Sequence, residues 1–129
     1  MNVAKRKYKP GQVVWAKVAD RNGIVKDIPR PILVLMVHPN VRDADLIGLA
    51  VSTRADIHPE DDPVVEMPWD AQTGSCTGLY QWCAVVLLWR VMVRQSDIQR
   101  TSGAVPSEFM TSLEATLKDA EFWHSQKRK

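Results

Sequence analysis

Apolar and polar positions fall into short blocks along this chain, and the blocks set its expected elements. Pro10-Gly11 reads as a turn, and Gln12 to Val18 follows as a β-branched, tryptophan-containing strand. Ala19 to Pro29 carries Asp20, Arg21, Asn22, Gly23, Lys26 and Asp27 and reads as a polar loop. Pro31 to Val37 is apolar at every position, the pattern of a strand buried on both faces. A turn from His38 to Asp43 leads to a third strand, Asp45 to Thr53, in which Gly48 marks a bulge or a close approach. An acidic loop, Arg54 to Pro63, precedes a short strand at Val64 to Met67, which Pro68 ends. Trp69 to Gly78 is rich in turn residues, and Trp82 to Val93 reads as a long strand interrupted in polarity only by Arg90.

The last third changes period. Ser102-Gly103 reads as a break, and Pro106 suits the first turn of a helix. Phe109, Met110, Leu113, Leu117 and Ala120 then recur at helical spacing, with Thr111, Glu114, Lys118 and Glu121 on the opposite side. A helix is expected over about residues 106–123. Strands first and one closing helix predict a mainly β fold with a C-terminal helix, built as a small bent sheet or barrel that the helix covers.

Length and charge narrow this picture. The chain has 129 residues, which fits one domain large enough to bury a core without a disulfide or metal staple. Its expected layout is a basic tail at 1–9, a barrel domain at 10–124 and a basic tail at 125–129. The net charge is +2, but seven of the 17 basic residues lie in the tails. The remaining ten face all 15 acidic residues, so the body is about five charges negative. A surface that coats nucleic acid needs a sustained basic face, so any polyanion site must be a local cluster. The longest apolar run, Cys83 to Trp89, is far shorter than the roughly 20 residues that span a bilayer. The basic N-terminus runs into Val13-Val14-Trp15-Ala16-Lys17 without a signal-peptide pattern. The expectation is a soluble, cytoplasmic protein that does not engage membranes. Cys76 and Cys83 lack metal or redox spacing and read as free thiols, and His38, His58 and His124 are scattered. No metal or cofactor is expected.

Five features occur in order: Gly11-Gln12-Val13-Val14-Trp15; Arg30-Pro31 opening an apolar strand; Val51-Ser52-Thr53; Thr77-Gly78-Leu79; and Gly103-Ala104-Val105-Pro106-Ser107-Glu108 entering the helix. In this order and at these separations they resemble the MazF/PemK family of toxin endoribonucleases, from type II toxin–antitoxin systems. The resemblance covers roughly residues 9–117. It implies a small SH3-like barrel, a homodimer, metal-independent cleavage of single-stranded RNA, and neutralisation by a cognate antitoxin protein.

The resemblance carries over to particular residues. The family's arginine before the strand-opening proline falls on Arg30. Its threonine or serine at the end of the third strand falls on Thr53, with Ser52 adjacent. The loop over its RNA groove holds Lys26 and Asp27 here. The family's last strand carries an amide or acid and then an arginine; here the strand is apolar, and Arg90 is the one residue that could serve. Cleavage through the 2′-hydroxyl requires charge stabilisation on the equatorial oxygens and management of two protons. Arg30 suits the first task through its planar fork of donors. Thr53 would orient the phosphate, and Asp27 is the carboxylate for base work if its loop folds inward. Lys26, Ser52, Arg54, Trp69 and Arg90 complete the expected RNA contacts, with Trp69 a stacking surface in its loop. Trp15, Trp82 and Trp89 are expected in the core.

Two other readings stay open. One is a catalytically inactive MazF-like module kept for interaction or regulation. The other is a PWWP-like binding domain, which the opening Tyr8 to Lys17 resembles. That family then needs an aromatic cage, where this chain has Ile28-Pro29-Arg30-Pro31.

Overall fold

A computed structural model describes residues 8–19, 23–25, 27–37, 45–54 and 63–127. Six strands form one antiparallel sheet: β1 (Gln12–Ala16), β2 (Arg30–Val37), β3 (Asp45–Ser52), β4 (Val64–Glu66), β5 (Ala84–Arg94) and β6 (Arg100–Ala104), in the order β4-β5-β3-β2-β1-β6. Among the described residues there is one α-helix, α1 (Ser107–Lys127), which follows the strands and continues past residue 123. The fold is therefore mainly β with a C-terminal helix.

The uninterrupted apolar strands are explained by a core on each face. Val13, Leu33, Leu49, Val85 and Leu87 point to one side, where Met110, Leu113 and Leu117 of α1 cover them. Val14, Ala16, Ile32, Val34, Leu46 and Val93 point to the other, joined by Tyr8 and Ile98 from outside the strands. Burying one such leucine or isoleucine contributes about 1.5–3 kcal/mol, so the helical face of Met110, Leu113 and Leu117 suffices to hold α1 in place.

Two irregularities bend the sheet. At Gly48 the β2–β3 register shifts between Val34 and Met36. A Cβ there would come within 2.7 Å of the Leu33 carbonyl oxygen, so the close approach expected from the sequence is present. The larger irregularity lies in β5. Leu49 pairs with Arg90 and Val51 with Val85, so two steps along β3 meet five along β5. The residues between form a bulge containing Val86, Leu87, Leu88 and Trp89. Val86 and Trp89 pack with Ala50 in a third small cluster, while Leu87 enters the helical core. A strand bent in this way is buried on both sides, which accounts for its lack of polar residues.

Three local expectations change. Ser102-Gly103 lies inside β6 instead of breaking the chain, because β6 is an edge strand of RTSGA whose side chains carry no apolar signal. The long strand begins at Ala84, so Trp82 precedes it and is 38% exposed, its indole N–H donating to the Glu66 carboxylate. Trp82 is therefore not a core residue. Among the described residues, no helix is long and apolar enough to cross a membrane.

Candidate functional site

The end of β1, the starts of β2 and β6, and the stretch just before β5 gather at one edge of the fold. With the residues after β3 they surround a cleft of about 680 Å³. Arg30, Pro31, Ile28 and Pro29 line one side; Thr53 and Val51 come from β3 and its turn; Leu79, Tyr80, Gln81 and Cys83 come from the approach to β5; Trp15 and Arg100 close the remainder.

Arg30 opens β2 opposite Ala16 of β1 and is half-buried. Its guanidinium carbon sits 4.7 Å from the centroid of the Trp89 ring, and Nη1 donates to the Val51 carbonyl at 3.4 Å. Stacking on an indole and a carbonyl anchor restrict a long side chain before any ligand arrives. The β5 bulge thus has a functional consequence, since it delivers the Trp89 ring beneath Arg30. Thr53 is exposed in the turn after β3 and lines the same cleft. The structure therefore brings Arg30 and Thr53 together.

The other expected residues lie elsewhere or are turned to other tasks. Asp27 is fully exposed, and its carboxylate stands 3.8 Å from Lys17 Nζ in a solvent-screened pair. It does not line the cleft. Ser52 is buried, and its hydroxyl accepts the Arg54 N–H at 3.0 Å, which shapes the turn that presents Thr53. Arg54 is exposed outside the cleft lining. Trp69 is 37% exposed in its loop and also stands outside the lining. Arg90 is exposed on β5 and borders a second groove with Lys17, Val18 and Met92. Lys26 lies outside the described residues.

Two residues that sequence patterning passed over belong to the cleft. Tyr80 is 59% exposed at its rim. Its ring packs over Gly74, where a Cβ would come within 2.8 Å of Cζ and where φ is +76°. Arg100 stacks on Trp15, with its guanidinium carbon 4.2 Å from the ring centroid. Neither has a periodicity signal: Arg100 sits in the polar edge strand, and Tyr80 ends a run of turn residues.

The cleft's chemistry is cationic and apolar. Among the described residues its lining holds two guanidiniums, the hydroxyls of Thr53 and Tyr80, the Gln81 amide and no carboxylate or imidazole. Cys83 is the lining thiol, but burial, aided by the nearby Glu66 carboxylate, pushes it up to about 11, so it is protonated and a poor nucleophile at neutral pH. Outside the cleft, Asp70 is held below the usual carboxylate range by the N–H groups of Thr73 and Gln72, at 2.9 and 2.8 Å from Oδ1. That interaction fastens the loop following β4. Compared with known proteins, the chain matches no family model and no curated protein.

Proposed function

We propose that this cleft binds single-stranded RNA and cleaves it without a metal, and that the chain is the toxin of a toxin–antitoxin pair, an SH3-like barrel of MazF/PemK type. The observation that carries the proposal is the meeting of Arg30 and Thr53 at one cleft, the two residues on which the sequence resemblance places the family's chemistry. In this reading the 2′-hydroxyl attacks the adjacent phosphorus, the bond to the 5′-oxygen breaks as the 2′,3′-cyclic phosphate forms, and the expelled oxygen takes a proton from solvent or the Arg30 guanidinium to leave as a 5′-hydroxyl. Arg30 donates to the equatorial oxygens as their charge grows, and its stack on Trp89 fixes the fork in advance. Thr53 orients the phosphate through its hydroxyl. Asp27 takes the attacking proton only if its loop leaves Lys17 and turns inward. The same cationic lining would receive carboxylates of an antitoxin segment, and the protein would work in the cytoplasm as a homodimer.

The lack of a carboxylate or imidazole among the described lining residues favours a second reading, an RNA-binding relative without catalytic activity. Incubation of the purified protein with a long RNA, with and without EDTA, separates the two. Fragments with cyclic phosphate ends support the nuclease; bound but intact RNA supports the relative.

A further inference from the structure

The proposed RNA site has a second cation for which neither the sequence resemblance nor the chemistry above has a role. We propose that Arg100 is a second phosphate-binding group of the cleft, holding a phosphate of the same strand other than the one at Arg30. This rests on the reading of the cleft as an RNA site.

The geometry is built up through β1. Trp15 of β1 pairs with Arg100 of β6 on one side and with Pro31 of β2 on the other. Arg30 and Arg100 therefore stand on the two strands that flank β1, about 10 Å apart at the backbone, which is two strand spacings. Arg30 opposes Ala16 and Arg100 opposes Trp15, so the two side chains leave opposite faces of the sheet, yet both line the cleft, which lies across the strand ends. Each rests on its own indole, Trp89 for Arg30 and Trp15 for Arg100.

The Trp15 platform is itself fixed. Its indole N–H donates to Ser102 Oγ at 2.9 Å, and that hydroxyl donates to the Thr77 carbonyl at 2.7 Å. The Trp15 carbonyl accepts the Gln99 N–H at 2.8 Å, next to Arg100 in sequence. Among the described residues no carboxylate pairs with Arg100, although the body of the chain is acidic. A guanidinium seated over a held ring at the lining of a cleft, with no carboxylate paired to it among the described residues, is suited to an anion with paired oxygens. The same lining offers Tyr80, 59% exposed, whose ring can carry a stacked base, and Ile28, 77% exposed, as further apolar surface. Two guanidiniums seated on separate rings, with an exposed aromatic ring in the same lining, match the repeated phosphates and bases of a single strand better than a small dianion.

The test measures binding of a fully 2′-O-methylated RNA oligonucleotide, which lacks the attacking hydroxyl, across a series of salt concentrations. For single strands the slope of log K against log salt is about −0.7 per phosphate neutralised. Arg100→Gln should bind about tenfold more weakly at low salt and flatten the slope by about 0.7. Arg100→Lys should keep the parent slope while losing part of the affinity, because the charge remains and the stacked fork does not. A purely structural Arg100 would shift the melting temperature and leave the slope alone. An unchanged slope for Arg100→Gln, with tight binding by the parent, overturns the role of Arg100 while leaving the RNA reading intact. Failure of the parent to bind the oligonucleotide overturns both.

Discussion

Arg30 stands half-buried between Trp89 and the Val51 carbonyl, and this placement defines what its removal should do. Arg30→Ala should lower the RNA cleavage rate by roughly a hundredfold or more, the usual cost of losing a preorganised donor to developing charge. Loss of the stack should also lower stability, by about 0.5–2 kcal/mol. Arg30→Lys should restore little activity, because an ammonium keeps the charge without the planar fork. Thr53→Ala, at an exposed turn position, should reduce the rate less and leave the melting temperature unchanged. Rate and thermal midpoint measured on the same variants check all of this. Parental cleavage by a folded Arg30→Ala protein would remove Arg30 from the mechanism. Arg30 and Thr53 are singled out only through the resemblance to the MazF/PemK motifs; the strand pattern alone marks them as ordinary strand-end residues. Neither route reaches Arg100 and Tyr80, whose places at the cleft come from pairing across β1 and from packing on Gly74.

Among the elements, β5 departs furthest from its sequence pattern. Its apolar run reads as one straight strand, whereas the chain bends there and spends Val86 and Trp89 on one cluster and Leu87 on another. Periodicity reports burial on both sides but cannot report a bulge, because the pairing partner that reveals it is distant in sequence. Edge strand β6 was illegible for the opposite reason, its residues having no apolar face. The entry to β5 offers a test of packing. Cys83 is 1% exposed, and its thiol is pushed up to about 11 from an ordinary 9.0. The folded state therefore holds its proton more tightly than the unfolded chain. Stability from this group is complete below about pH 9 and falls as pH rises to about 11. Urea unfolding of the parent and of Cys83→Ala at pH 8 and pH 10.5 checks the sign. The parent should lose more stability over this interval than the variant, and equal losses would refute the burial argument.

At the scale of the whole molecule, α1 covers one of the sheet's two apolar faces, and some apolar surface stays outside. Met36 of β2, Ile47 of β3 and Met92 of β5 lie opposite one another in a single row. Met36 is 55% exposed and Met92 65% exposed. This row motivates the expected homodimer. Light scattering at micromolar concentration should give about twice the 14.6 kDa chain mass, and Met92→Glu should give the monomer. A parent monomer would contradict it. The cleft at the strand ends is the proposed ribonuclease site. Its most direct test is end-group analysis of a single-stranded RNA incubated with the purified protein in EDTA. The account predicts fragments ending in 2′,3′-cyclic phosphate and beginning with 5′-hydroxyl, and none with Arg30→Ala. RNA that stays intact beside a folded parent protein would contradict it.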